Sequence, residues 1–259
     1  MEQKIAGGHG TTRFAAMIGL SGWQVRLGRE HGLLPDPDLD GERWSPELAE
    51  EARAKAAHVI AAFGNDPPIG AARAADRLAV TLGLDVERPD VEVLVTRGDL
   101  RVVSHYREYP VYLRRDVDAL APEAVAEVVA ARKGPLNDTV DAKGAARILG
   151  WPRRAFDRIA AEREVTPDQL GRFRLSDIRA LGADEQLAAR ILDERRRAAH
   201  AKALKEETRI EDDVRGWLLR CTAYVDRDAD EPPDLTAARR ALRALSEARA
   251  RTDATSSPH

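Results

Sequence analysis

Phe14-Ala15-Ala16-Met17-Ile18-Gly19-Leu20-Ser21 joins the end of one helix signal to the start of another. An alanine-rich helix signal, which Thr11 or Thr12 is placed to cap, runs into Gly19, and glycine suits the left-handed position that ends a helix. Ser21 suits the N-cap of a second helix, expected from Gly22 to His31 and ended by Gly32. A turn-rich loop holding Pro35, Asp36, Pro37, Asp40 and Gly41 follows, and the chain returns at Arg43-Trp44-Ser45-Pro46. Ser45 and Pro46 pair a capping residue with proline at the first helical position, opening a third helix. Its apolar face carries Leu48, Ala52, Ala56, Val59, Ile60 and Phe63 before Gly64 stops it.

The same order comes twice more. Leu82-Gly83-Leu84 leads through Arg97-Gly98-Asp99-Leu100 to Val111-Tyr112-Leu113, with a polar hairpin turn around Arg107 and Glu108. Ala145-Ala146-Arg147-Ile148-Leu149-Gly150-Trp151 leads through Arg153 to Arg163 and then to Arg172-Phe173-Arg174. Gly19, Gly83 and Gly150 lie at near-equal intervals, the signature of a repeated structural unit. The expected organisation is three modules, 11–64, 69–134 and 139–183, then a long helical segment, 184–225. An acidic linker, a short helix around Leu235 to Leu245 and a disordered tail fill 226–259, and residues 1–10 read as a mobile leader. The fold class is mainly α with small β-wings.

Each unit places one helix after a tight turn and an aromatic hairpin beside it, the arrangement that presents a second helix to a DNA major groove. In the first module Ile18, Leu20, Val25 and Leu27 are candidate inner residues, although Val25 and Leu27 cannot both face directly inward. Gln24, Arg26, Arg29 and His31 are the outward groups, and Arg43 stands on the wing. The third module offers Arg153, Arg154, Arg158 and Arg163 on its helix and Arg172 and Arg174 on its wing. In the middle module Glu87-Arg88-Pro89-Asp90-Val91-Glu92-Val93-Leu94 presents three carboxylates where phosphates would approach, so it reads as a spacer or partner-binding unit.

Ala15 to Pro37, with Gly41 to Glu47, resembles the winged helix-turn-helix of MerR-type and excisionase-type proteins. The matching residues are Ile18-Gly19-Leu20-Ser21, Gly32-Leu33 and Trp44-Ser45. The second module departs from the pattern by two extra residues near Asp85 and Val86. The third carries Glu164-Val165 where a glycine should follow its second helix. The resemblance implies double-stranded DNA as partner and, for regulators of this type, dimerisation through a C-terminal helix.

Composition excludes much else. A single cysteine, Cys221, permits no intramolecular disulfide or cysteine-based metal cluster. Its setting beside Trp217 and Leu218 reads as a small buried apolar residue. The six histidines have no ligand spacing, no Gly-x-Ser-x-Gly elbow is present, and Gly7-Gly8-His9-Gly10 lacks the Lys-Ser/Thr ending of a phosphate loop. No catalytic residue, cofactor or metal is expected. No apolar run approaches the roughly 20 residues of a membrane span and no signal peptide is visible, so a cytoplasmic location is expected. The formal net charge of −3 argues against a uniformly basic surface. Two functions remain: a sequence-dependent DNA-binding protein, acting as transcriptional regulator or architectural accessory factor, and a protein-interaction scaffold built from modules that do not bind DNA.

Overall fold

The computed structural model describes residues 8–256, which are mainly helical with a few short antiparallel strands. The chain divides into two compact units, 1–179 and 180–259.

The first unit holds the three repeats. Repeat one comprises α1 (Thr11–Ile18), α2 (Gly22–Glu30) and α3 (Pro46–Phe63). Repeat two comprises β1 (Ile69–Gly70), α4 (Ala71–Leu82), α5 (Arg88–Arg97), β2 (Ser104–Tyr106), β3 (Tyr109–Tyr112), α6 (Arg114–Asp118) and α7 (Pro122–Lys133). A single 3-10 turn, Gly134–Leu136, leads to repeat three: β4 (Thr139–Asp141), α8 (Ala142–Ile148), α9 (Arg153–Glu162), β5 (Arg172–Arg174) and α10 (Leu175–Ala183). The strands form a three-stranded sheet in the order β1-β3-β2 and a two-stranded β4-β5 ladder in which Val140 faces Phe173.

The turn glycines Gly19, Gly83 and Gly150 all have positive φ, 71°, 62° and 62°, a region that penalises any Cβ. Where the third repeat lacks its second glycine, Glu164 itself adopts φ 57°. The hairpin turn sits at Arg107 and Glu108 as the sequence indicates, both with positive φ. Its strands hug the turn, because Leu100 and Leu113 on either side are drawn into apolar cores.

Trp44 is the centre of the first core. It is fully buried, stacks on Phe14 at 4.2 Å, and donates from Nε1 to the Pro35 carbonyl at 3.1 Å. Val25 and Leu27 are both buried, against expectation, because α2 packs on α1 along one side and α3 along the other. The N-cap of α1 is Gly10, not a threonine. His9 exchanges both backbone hydrogen bonds with Trp44, so this part of the expected leader is tied to the core. Residues 1–7 lie outside the described residues.

Consecutive repeats are fused. Leu113 of repeat two lies in the core of repeat one, and Arg115 donates to the carbonyls of Ala61 and Ala62 at the end of α3, where a cation also suits the helix dipole. At the junction of repeats two and three, two residues of repeat two form a buried ion pair: Lys133 Nζ meets Asp85 Oδ2 at 3.1 Å with both side chains almost wholly buried. Arg147 of α8 lies 3.6 Å from the other Asp85 oxygen and donates to the Val86 carbonyl at 3.0 Å. The two extra residues of repeat two therefore form the socket into which repeat three locks.

Gly144 completes that socket. A Cβ there would collide with Asp85 Oδ1 and lie 2.5 Å from Val140 Cγ2. Gly144→Ala is therefore expected to cost about 1–3 kcal/mol, although alanine is the better helix former, because neither neighbour has room to move. Urea unfolding of the two proteins checks the sign.

The second unit contains α11 (Glu185–Val225) and α12 (Leu235–Ser256), which pack on each other. The expected short helix ending near Leu245 is instead 22 residues long, so the expected disordered tail is helical through Ser256; residues 257–259 lie outside the described residues. The cause is a partner surface: Leu245 and Ala248 are buried against Ile210, with Val214 and Ala244 alongside. Arg249 adds ion pairs to Glu207 and Glu211. Ile210 and Val214 of α11 are thus engaged by α12. No helix among the described residues is long and apolar enough to cross a membrane.

Candidate nucleic-acid interface

The outward residues expected in repeat one are largely engaged within the protein. Gln24 is buried. Its Oε1 accepts from the Ser21 amide at 2.9 Å, and its Nε2 donates to the Gly64 carbonyl at 2.7 Å. It is the reciprocal partner of the α2 cap and a tie to the end of α3, so its amide is buried within the protein and does not face a base edge.

Arg26 reaches into repeat two. Its Nη1 donates to Ser104 Oγ at 2.8 Å and to the His105 carbonyl at 3.3 Å, and Ser104 Oγ donates to Glu30 at 2.6 Å. His31 Nε2 donates to the Val103 carbonyl at 2.8 Å. The outer side of α2 is in this way bound to the β2 strand, and a helix so held cannot lie along a groove over its full length.

Arg29 and Arg43 remain at the surface, but each is paired. Arg29 lies 5.5 Å above the Trp44 ring and 3.0 Å from Asp36, while Arg43 pairs with Asp40 at the loop tip. Next to them, hydrogen bonds from the Ser45 side chain and amide hold the Asp38 carboxyl below its ordinary range. Exposed pairs of this kind contribute little, about 0–1 kcal/mol, and a phosphate can replace the carboxylate.

The carboxylates of repeat two are also spoken for. Asp90 is buried and lies 2.8 Å from Arg132, Glu87 lies 3.7 Å from the same guanidinium, and Glu92 pairs with Arg88 at 2.7 Å. The expected row of three exposed acids therefore does not exist: Asp90 faces the core.

In repeat three, α9 has one buried and one exposed face. Phe156, Ile159 and Ala160 bury one face of α9, and Phe156 meets Phe173 of β5 edge to face at 5.1 Å. That packing fixes the strand beside the helix. Arg153, Arg154 and Arg158 are exposed on the other face, and Arg174 is exposed on β5. Arg153 is paired with Asp157 at 2.8 Å. Arg172 is the exception: it is half-buried and donates to the Thr139 hydroxyl at 2.8 Å and to the Thr139 carbonyl at 3.2 Å, bracing the β4-β5 ladder.

Two arginines in the first turn of a helix oppose its dipole. In α9 that first turn has no acidic residue and its N-cap, Pro152, supplies no side-chain hydrogen bond. Cationic side chains and uncapped amides thus converge at one end of one helix, at a cost to its stability unless an anion meets them.

Compared with protein-family models, with curated proteins and with solved structures, the chain matches none.

Proposed function

We propose that the chain binds double-stranded DNA, with repeat three as its principal reader, and acts as a transcriptional regulator or architectural accessory factor. The repeats read as winged helix-turn-helix modules: two helices around a left-handed glycine, followed by a hairpin in repeat two and flanked by a paired strand on each side in repeat three. The observation that carries the reading is the start of α9, where Arg153 and Arg154 crowd a helix N-terminus that no side chain caps. Phosphates are the ligands that such a convergence favours, and Arg158 one turn further along is placed to reach a base edge.

Repeat one plays a lesser part than its sequence indicates, through Arg29 and Arg43, because Arg26 and Gln24 are committed within the protein. Repeat two is a brace, which fixes the distance between the other two. A second copy of the chain remains the natural partner for a regulator, with the residual exposed apolar residues of the α11–α12 pair, such as Leu218 and Leu219, as its contact.

Capture of genomic fragments on the immobilised full chain at two salt concentrations tests this. A small set of sequences should be enriched and should persist at the higher salt, whereas bulk fragments wash away. A chain that enriches no sequence at either salt is a protein-interaction scaffold, and the DNA reading fails.

A further inference from the structure

A cleft of about 530 Å³ lies where repeats one and two meet, a volume suited to a small ligand. Three aromatic rings, Trp23, Tyr106 and Tyr109, and three guanidinium-bearing residues, Arg26, Arg73 and Arg88, line it, and no carboxylate does. Tyr106 and Tyr109 face each other across the last rung of the hairpin, and each leaves more than half of its surface in solvent. Arg107 lies 5.6 Å over the first ring and Arg88 6.0 Å over the second, which makes one side of each ring cationic.

We infer that this cleft binds a small planar aromatic anion: a ring system bearing a carboxylate, sulfonate or phosphate group. The exposed tyrosines and Trp23 supply flat apolar contact. The arginines supply charge complementarity, Arg73 directly and Arg26 and Arg88 by exchanging their exposed partners Glu30 and Glu92 for the ligand. The first turn of α4, which includes Arg73, has no acid and no capping side chain, and so adds to the positive potential. Arg26 also ties α2 to β2, so an anion that draws it away loosens the junction between the repeats. This site shares no residue with the interface proposed on repeat three, and it stands whether or not the chain binds duplex DNA.

The test uses the full chain and two probes that share one ring system and differ by the sulfonate group, 8-anilinonaphthalene-1-sulfonate and neutral N-phenyl-1-naphthylamine. The sulfonate should saturate at one site per chain and bind about fivefold or more tightly than the neutral probe. Arg73→Gln with Arg88→Gln, and separately Tyr109→Ala, should each weaken it about fivefold or more, amounts that correspond to removing one charged or stacking interaction. Arg53→Gln, an exposed arginine on α3, should leave it unchanged. Circular dichroism establishes that these surface variants are folded, and the two-probe comparison needs no variant at all. Equal affinity for both probes, indifference to the cleft substitutions, or displacement of the sulfonate by an oligothymidine at lower concentration than by naphthalene-1-sulfonate would overturn the inference. Duplex binding measured on the same variants should not move, which separates this result from the fate of the DNA reading.

Discussion

Replacing Asp85 with alanine is expected to lower the stability of the three-repeat unit by about 3–5 kcal/mol, the range for breaking a buried ion pair from one side. The substitution removes one carboxylate but strands a cation: Lys133 is almost wholly buried, and its ammonium is left with only the Thr139 carbonyl. Arg147 loses the same partner, although Asp76 at 3.2 Å and the Val86 carbonyl still hold it. Because Asp85 also meets Arg147 of repeat three and Lys133 also bonds to the Thr139 carbonyl, the loss should appear as earlier unfolding of the whole unit in urea. Pairing Asp85→Ala with Lys133→Met should restore a substantial part of the stability, since a well-packed apolar side chain no longer demands a counter-charge. A single variant as stable as the wild type would mean that water reaches the pair.

Trp44→Ala should cost about 3–5 kcal/mol in the same assay. The ring has no exposure, stacks on Phe14 and bonds to Pro35, so its removal leaves a cavity, an unstacked ring and an unpaired carbonyl together. It also supports Arg29, and its backbone holds His9, so the loop between Leu34 and Ser45 should become protease-sensitive. Trp44→Phe keeps the stack and should recover most of the loss. Equal losses for the two substitutions would show that the Pro35 hydrogen bond, not the stack, is what matters.

The helices are legible in the sequence because their signals are local. Ser45-Pro46 and the left-handed glycines mark ends that short-range sterics alone determine, and they fall where expected. What the sequence conceals depends on partners distant in the chain. Gln24 reads as an outward polar group until the Gly64 carbonyl, forty residues on, is brought to it. Arg26 reads the same way until β2 arrives. The two extra residues of repeat two look like a defect of the pattern and are the socket for Gly144 and Arg147. Alternation of polar and apolar residues does not register such pairings, since a buried Asp85 and an exposed aspartate have the same letter.

The C-terminal segment departs from expectation for a different reason. Residues past Leu245 are rich in alanine, arginine and threonine and carry few large apolar groups, a composition that reads as disorder. Burial of Leu245 and Ala248 beside Ile210 is enough to extend the helix, because a small residue permits close approach of two backbones. The cleft is likewise invisible in the sequence: Trp23, Arg73 and Tyr109 are spread over some ninety residues, and only the fusion of repeats one and two makes them neighbours.

Whether α9 and β5 meet DNA phosphates is decided by the salt dependence of duplex affinity. Affinity for a captured duplex should be measured across a range of salt for the wild type and for Arg154→Ala/Arg174→Ala. Both side chains are exposed, so the double variant should fold as the wild type does. The slope of log affinity against log salt should shrink by about two units, roughly one for each phosphate no longer neutralised. A folded double variant with the wild-type slope and affinity would contradict such contacts.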